Sequence, residues 1–155
     1  WRMIWIGTVA GLFAAFAYDV FRLPFVFSRQ LGLSSVVPPL PLFKVFPLFG
    51  KMILLDRGEQ LSLADHLVGW AYHFSNGIAF GIMYMAMIGD ARRRSWAWGI
   101  LMAVGIEIGL LVTPYAKSFG IPVTGTFIAV TLAAHAIFGA VMGILAKQFA
   151  DFARS

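Results

Sequence analysis

The pattern of hydrophobic and polar positions is dominated by four long apolar runs, which short polar stretches and one mixed segment separate. A helix needs about 20 predominantly apolar residues to cross the hydrocarbon core of a bilayer. The pattern therefore predicts an all-α integral membrane protein, a single transmembrane domain over residues 1–155 built as a four-transmembrane-helix bundle. The predicted helices cover about 4–21, 63–89, 95–113 and 122–149.

Local signals mark the ends of these helices. Ser62 and Asp65 have the spacing of a capping box, so the second helix is expected to begin there. Pro24 and Pro114 follow the first and third helices, where a proline can end a helix. Pro122 suits the first turn of the fourth helix, because the missing N–H has no helical partner at that position.

The segment at about 36–55 is apolar but lacks the pattern of a spanning helix. Its sequence, VVPPLPLFKVFPLFGKMILL, contains four prolines and two lysines. Each interior proline removes a backbone hydrogen bond that lipid cannot replace. We therefore expect an interfacial or re-entrant segment between the first two helices, and a fifth span is the alternative. Its aromatic rings would lie at the headgroup boundary and its lysines would reach water (Phe43, Phe46, Phe49, Lys44 and Lys51).

Composition agrees with lipid as the solvent. The chain is 60% hydrophobic and 12% charged, whereas a soluble domain carries about 25% charged residues. It has no cysteine, which excludes disulfides, thiolate nucleophiles and cysteine-ligated metal sites. The net charge of +5 is spread over loops and ends, and no basic face with interleaved aromatics indicates nucleic-acid binding.

The positions of the basic residues predict an orientation. The loop GDARRRS at 89–95 is expected to be a tight polar hairpin, and it carries three consecutive arginines. Arg2, Lys147 and Arg154 would lie on the same side of a four-span bundle. By the positive-inside rule both termini are predicted to be cytoplasmic, in a bacterial inner membrane.

Two stretches share the pattern His-x-x-x-Gly-x-x-x-Gly: HFSNGIAFG at 73–81 and HAIFGAVMG at 135–143. Residues four apart lie on one face of a helix, and stripes of small residues let helices approach closely in lipid. The stripes are therefore predicted to be helix-packing surfaces, with the histidines hydrogen-bonded to neighbouring helices. The predicted packing glycines are Gly77, Gly81, Gly139 and Gly143.

The apolar parts of the predicted helices, at 4–21, 67–88, 96–113 and 121–146, each contain one acidic or histidine residue: Asp19, His73, Glu107 and His135. Ionisable groups in a membrane usually face a bundle interior, a partner or a cavity. We therefore expect each carboxylate to pair with a histidine in the outer half of the bundle. An interfacial ion pair between Asp19 and Arg22 is the structural alternative for Asp19.

The function that this sequence favours is that of a non-enzymatic accessory or structural subunit of a larger membrane complex. Glycine-striped helices, 15% aromatic residues and an apolar proline-rich segment are typical of a chain that packs against neighbours. Its expected partners are the bilayer, bound lipids and other membrane subunits. No catalytic motif is present, so catalytic activity of its own is not expected.

Two alternatives stay open. The first is a metal- or haem-binding subunit, because two histidines with nearby glycines on parallel helices resemble the bis-histidine haem sites of membrane b-type cytochromes. A metal could instead be held by His73, His135, Glu107 and Asp19, a set of ligands that suits Zn, Cu, Mn or Fe. The second alternative is a small proton- or ion-coupled transporter in which Glu107 and a histidine titrate together.

Overall fold

The described residues fold as five helices, which confirms the predicted all-α class. The computed structural model describes residues 1–114 and 123–153, and no strand occurs among them. The helices are α1 (Arg2–Val26), α2 (Val45–Ile53), α3 (Leu63–Ile88), α4 (Ala97–Leu111) and α5 (Gly125–Phe152). The four long predicted helices correspond to α1, α3, α4 and α5, and α2 lies in the proline-rich segment.

Two of the helices, α1 and α5, are long and apolar enough to cross a membrane. Helix α4 is apolar but has 15 residues, which gives a length of about 22 Å. Helix α3 has 26 residues, and its sequence includes the polar Asp65, His66, His73 and Asn76. Length and composition of the described helices therefore support two spans directly.

Two helix ends differ from the sequence prediction. Helix α1 continues through Pro24 to Val26, so the prediction that Pro24 ends the first helix was wrong. The last turn of α1 is stabilised by a residue outside the helix, because the Leu40 N–H donates to the carbonyl of Phe25, 3.0 Å away. Helix α4 ends at Leu111, before Pro114 as predicted. The prediction for Pro122 lies outside the described residues.

The segment between α1 and α3 folds back onto the bundle and contains one short helix. Pro47 is accommodated in α2 because it lies in the first turn, where backbone N–H groups have no helical acceptor. Ser62 caps α3, and its side chain and that of Asp65 form the predicted capping box. Phe46 was predicted at the headgroup boundary, but it is buried and stacks on His73 at 4.2 Å between ring centroids.

In the turn between α3 and α4, Asp90 forms ion pairs with Arg92 and Arg93. Gly89 has a positive φ of 69°, a conformation that favours glycine. Hydrogen bonds from the Arg92 side chain lower the pKa of Asp90 to about 2. The Asp90 carboxylate therefore keeps its charge, and its contact with Arg92 at 2.6 Å, down to strongly acidic pH.

Helix α1 is the centre of the bundle. It packs against α3 on one side and against α5 on the other, while α4 packs on α5 and α2 packs on α3. Helices α3 and α4 hardly touch, although a short turn joins them. The main contacts therefore run in the order α3–α1–α5–α4. Helices α3 and α4, which follow each other in the sequence, lie at the two ends of this order and leave a gap between them.

Candidate functional site

Close glycine contacts fix both helix pairs. Gly7 and Gly11 of α1 face Gly77 and Gly81 of α3, so closely that a Cβ atom on Gly11 or Gly81 would collide with the opposite backbone. Gly99 of α4 makes the corresponding contact with Gly139 of α5. A Cβ on Gly143 would collide with the backbone of Trp96. The four glycines predicted to be packing positions therefore lie at helix–helix contacts.

The first ionisable pair joins α1 to α3. Asp19 Oδ2 lies 2.9 Å from His73 Nε2, and Asp19 Oδ1 lies 3.4 Å from the Arg22 guanidinium. Asp19 is 8% exposed and Arg22 is 2% exposed, so the ion pair expected as the alternative for Asp19 is present and is buried within the bundle. Because a carboxylate only accepts hydrogen bonds, His73 Nε2 is the donor.

Arg22 is held by the folded-back segment as well as by Asp19. Its Nη2 donates to the carbonyl of Leu42, and its guanidinium lies 4.5 Å from the Tyr18 ring centroid. The rings of Phe43 and Phe46 lie 5.0 and 5.1 Å from the same guanidinium, which is cation–π distance. The Arg22 Nε has no hydrogen-bond partner and is fully buried. One donor of this cation therefore remains unused.

The second ionisable pair joins α4 to α5. Glu107 is 6% exposed, and its Oε2 lies 3.5 Å from His135 Nδ1. His135 Nδ1 lies 2.9 Å from the Thr131 carbonyl, which only accepts, so Nδ1 carries the hydrogen. Among residues 1–114 and 123–153, no Arg or Lys forms an ion pair with Glu107. The Glu107 pair thus differs from the Asp19 pair by lacking a fixed cation.

Tyr18 connects the two pairs. Its ring centroid lies 5.8 Å from that of His73 and 4.9 Å from that of His135. It is on α1, the helix that packs against both histidine-bearing helices. The aromatic ring of Tyr18 therefore fills space between the two imidazoles.

A cavity of about 250 Å³ runs through this region. All five helices contribute to its wall, which is largely apolar and aromatic. The polar part of the wall includes Tyr18, Arg22, His73, Glu107 and His135. Three of the four ionisable residues singled out in the sequence thus face one cavity, and the fourth, Asp19, supports it through His73 and Arg22.

Neither the metal site nor the haem site fits this geometry. Within the described part of the chain, no three His, Asp or Glu side chains are gathered closely enough to ligate one metal ion. The Arg22 cation beside Asp19 also opposes a metal cation there. A haem between His73 and His135 would need the space that the Tyr18 ring occupies.

The two halves of the site repeat a spacing that the sequence reasoning missed. Gly11, Ala15 and Asp19 of α1 have the same spacing as Gly99, Ala103 and Glu107 of α4. Each Gly-x-x-x-Ala-x-x-x-acid helix packs on a helix with the His-x-x-x-Gly-x-x-x-Gly pattern, α1 on α3 and α4 on α5. In both helix pairs the acidic residue contacts the histidine. Each hairpin thus brings its own small-residue contact and its own carboxylate–histidine pair. Tyr18 was also missed, and no repeated spacing identifies it.

Comparison of the chain with protein-family models, with curated proteins and with solved structures finds no match. The features that bear on function are the buried ionisable side chains and the gap between α3 and α4. In the described part of the chain, Glu107 also has no Arg or Lys as an ion-pair partner.

Proposed function

We propose that this chain is a four-span integral membrane protein that binds a small ligand in the cavity. It exchanges a proton at the Glu107–His135 pair as the ligand binds and leaves, which makes it a small proton-coupled carrier. The observation that carries the proposal is the buried Glu107 carboxyl, which faces His135 at the wall of the cavity.

The difference between the two carboxylate–histidine pairs supports the proton exchange. Arg22 gives Asp19 a fixed positive partner. A buried carboxylate without such a partner is costly, because the low-dielectric interior does not solvate its charge. The charge of Glu107 is therefore balanced by a proton, on the carboxyl itself or on His135. Such a proton changes the net charge of the cavity wall by one unit.

The hydrogen bonds of His135 fix where this proton can go. Its Nδ1 already donates to the Thr131 carbonyl, so the second ring nitrogen, Nε2, is the one that accepts a proton. The other ionisable groups around the cavity are Tyr18 and Arg22 on α1 and His73 and Tyr72 on α3. A ligand that contacts these groups changes the electrostatic potential at Glu107 and His135, which couples binding to proton uptake.

The four-span arrangement is part of the proposal. Helices α3 and α4 pack in the same bundle as the two apolar helices, α1 and α5. Helix α3 carries the histidine pattern that meets the acidic pattern of α1, and α4 carries the acidic pattern that meets the histidine pattern of α5. The arginines at 92–94 support an orientation with the α3–α4 turn and both termini in the cytoplasm of a bacterial cell. The folded-back segment with α2 covers the opposite, outer end of the bundle.

Single-cysteine labelling tests the four spans, since the chain has no native cysteine. Ser35→Cys, in the folded-back segment, is expected to react with a membrane-impermeant maleimide in intact cells. Ser95→Cys, in the α3–α4 turn, is expected to react only after the membrane is opened. Both serines are exposed, so a difference in labelling reports sidedness. Labelling of both positions from the same side would contradict the four-span topology.

Replacing Glu107 by glutamine is expected to abolish proton exchange. Glutamine keeps the size and the hydrogen-bonding shape of the side chain but cannot bind the proton. The measurement is the acidification of proteoliposomes that contain an internal pH-sensitive dye, after an imposed pH gradient. Glu59→Gln is the matched control, because Glu59 is exposed in the loop before α3. Equal proton flux in the wild type and in Glu107→Gln would overturn the carrier function.

The role of accessory subunit remains a second proposal. It is supported by exposed apolar side chains in the folded-back segment and at the start of α3: Val36, Leu55 and Leu63, at 82%, 81% and 75% exposure. These three lie near the proposed outer surface, where a neighbouring subunit could cover them. Native mass spectrometry in mild detergent would support this role if it shows a complex that contains other proteins as well as this chain. Proton flux in proteoliposomes that contain this chain alone would count against it.

A further inference from the structure

The gap between α3 and α4 is continuous with the cavity. Tyr72, Asn76 and Phe80 of α3 line the cavity, and so do Ala103, Ile106 and Leu110 of α4. These positions cover about two turns of each helix. Tyr72 is 38% exposed and Leu110 is 37% exposed, so residues of the cavity wall also reach the outer surface of the bundle. The cavity therefore opens sideways, between two helices that the proposed function places in lipid.

The wall changes in character from the gap to the interior. Near the gap it is formed mostly by apolar and aromatic side chains, including Phe80, Ile106 and Leu110. At the inner end stands Arg22, which is 2% exposed and whose buried Nε has no hydrogen-bond partner. A site with a largely apolar wall and a buried cation in that wall suits a ligand with an apolar tail and an acidic head.

We propose that the ligand of the cavity is a single-chain amphiphile with a carboxylate head, such as a fatty acid, which enters from the bilayer through the gap between α3 and α4. This inference rests on the proposed membrane topology and deepens the carrier function. Arg22 and Tyr18 both line the cavity, and the carboxylate head lies against the Arg22 guanidinium. The alkyl chain extends between the two helices towards lipid.

The proton exchange of Glu107 and His135 fits this ligand chemically. A fatty acid crosses lipid in its neutral form, because a free carboxylate is expensive in hydrocarbon. On reaching Arg22 the carboxyl O–H bond breaks, and its proton forms a new N–H bond at His135 Nε2, while the Glu107 carboxyl keeps the proton that already balances its charge. The head is then a carboxylate opposite a guanidinium. The step is a proton transfer that needs no other reactant.

Photolabelling of the purified protein in nanodiscs tests the proposal. The probe is palmitic acid with a photoactivatable diazirine in its chain, and its control is the alcohol of the same length with the same diazirine. We expect saturable labelling of α3 and α4 at the gap. The acid is expected to bind about tenfold more tightly than the alcohol, as the loss of one charge-assisted hydrogen bond implies. Equal affinity of the acid and the alcohol would overturn the carboxylate assignment.

Two tryptophan variants of α4 test the route. Leu110→Trp puts a large side chain at the mouth of the gap and is expected to reduce labelling about tenfold, which corresponds to about 1.4 kcal/mol of binding energy. Ile108→Trp is the matched control, because Ile108 is 50% exposed and does not line the cavity. It is expected to leave labelling unchanged. Equal labelling in the two variants would overturn access through the gap.

The two proposals fail in different ways. If proton flux depends on Glu107 but palmitate is not bound saturably, the carrier function stands and the amphiphile is wrong. If palmitate is bound at the gap while Glu107→Gln leaves proton flux unchanged, the amphiphile site stands and proton coupling is wrong. Monitoring the folded fraction by size-exclusion chromatography ensures that each variant is compared at equal amounts of folded protein.

Discussion

Replacing Gly81 by alanine is expected to destabilise the protein by about 3 kcal/mol, although the change adds one methyl group. The new Cβ would collide with the backbone carbonyl of Gly7 and would lie 2.9 Å from the Cα of Gly11. Both obstacles are backbone atoms of α1, which cannot move without separating the two helices. The free energy of unfolding, measured by titration with SDS in mixed micelles, provides the test.

Gly105→Ala is the matched control for this change. Gly105 also lies within a helix, and a Cβ atom at this position meets no other atom within 4 Å. Alanine is therefore expected to leave the free energy of unfolding unchanged or to raise it by up to about 1 kcal/mol through its helix propensity. Equal effects at positions 81 and 105 would show that the α1–α3 glycine contact does not support the fold.

Replacing Asp19 by alanine is expected to cost about 3–5 kcal/mol, the second large effect. The change leaves the Arg22 guanidinium buried without its carboxylate, and it removes the hydrogen-bond partner of His73. An unpaired charge in a low-dielectric interior is more costly than the loss of the contact alone. The loss is measured in the same SDS titration and as a lower melting temperature in detergent.

The double variant Asp19→Leu/Arg22→Met separates charge from packing. It removes both charges and keeps apolar volume at the two positions, so part of the lost stability is expected to return. Asp90→Ala is the control, because Asp90 forms an ion pair in the exposed α3–α4 turn and its removal is expected to change stability little. A double variant that is less stable than Asp19→Ala would contradict a charge-based explanation.

Several features of the site could be read from the sequence because they depend on local spacing. Residues four apart share a helix face, so the stripes at 73–81 and 135–143 indicated tight packing before any partner helix was known. The cost of isolated charges in lipid predicted that Asp19 and Glu107 would each face a histidine. In the structure, Asp19 lies 2.9 Å from His73 and Glu107 lies 3.5 Å from His135.

Other features were missed because they depend on which helices are neighbours. The sequence placed Phe46 at the membrane surface, but the fold-back of its segment stacks it on His73. Pro24 was expected to end α1, but the bond from Leu40 to Phe25 holds the extra turn. In both cases a contact between distant parts of the chain overrides a local preference, and no local pattern encodes such a contact.

The sequence by itself determined the helical class, the positions of the long helices and two of the buried ionisable residues, Asp19 and Glu107. These follow from hydropathy, periodicity and the cost of charge in lipid, which are properties of each segment alone. Only the tertiary structure decided that Arg22 is buried with Asp19, that Glu107 pairs with no Arg or Lys of the described residues, and that α3 and α4 leave a gap. The physical reason is that these features depend on packing between segments, where the close glycine contacts select one arrangement of the helices.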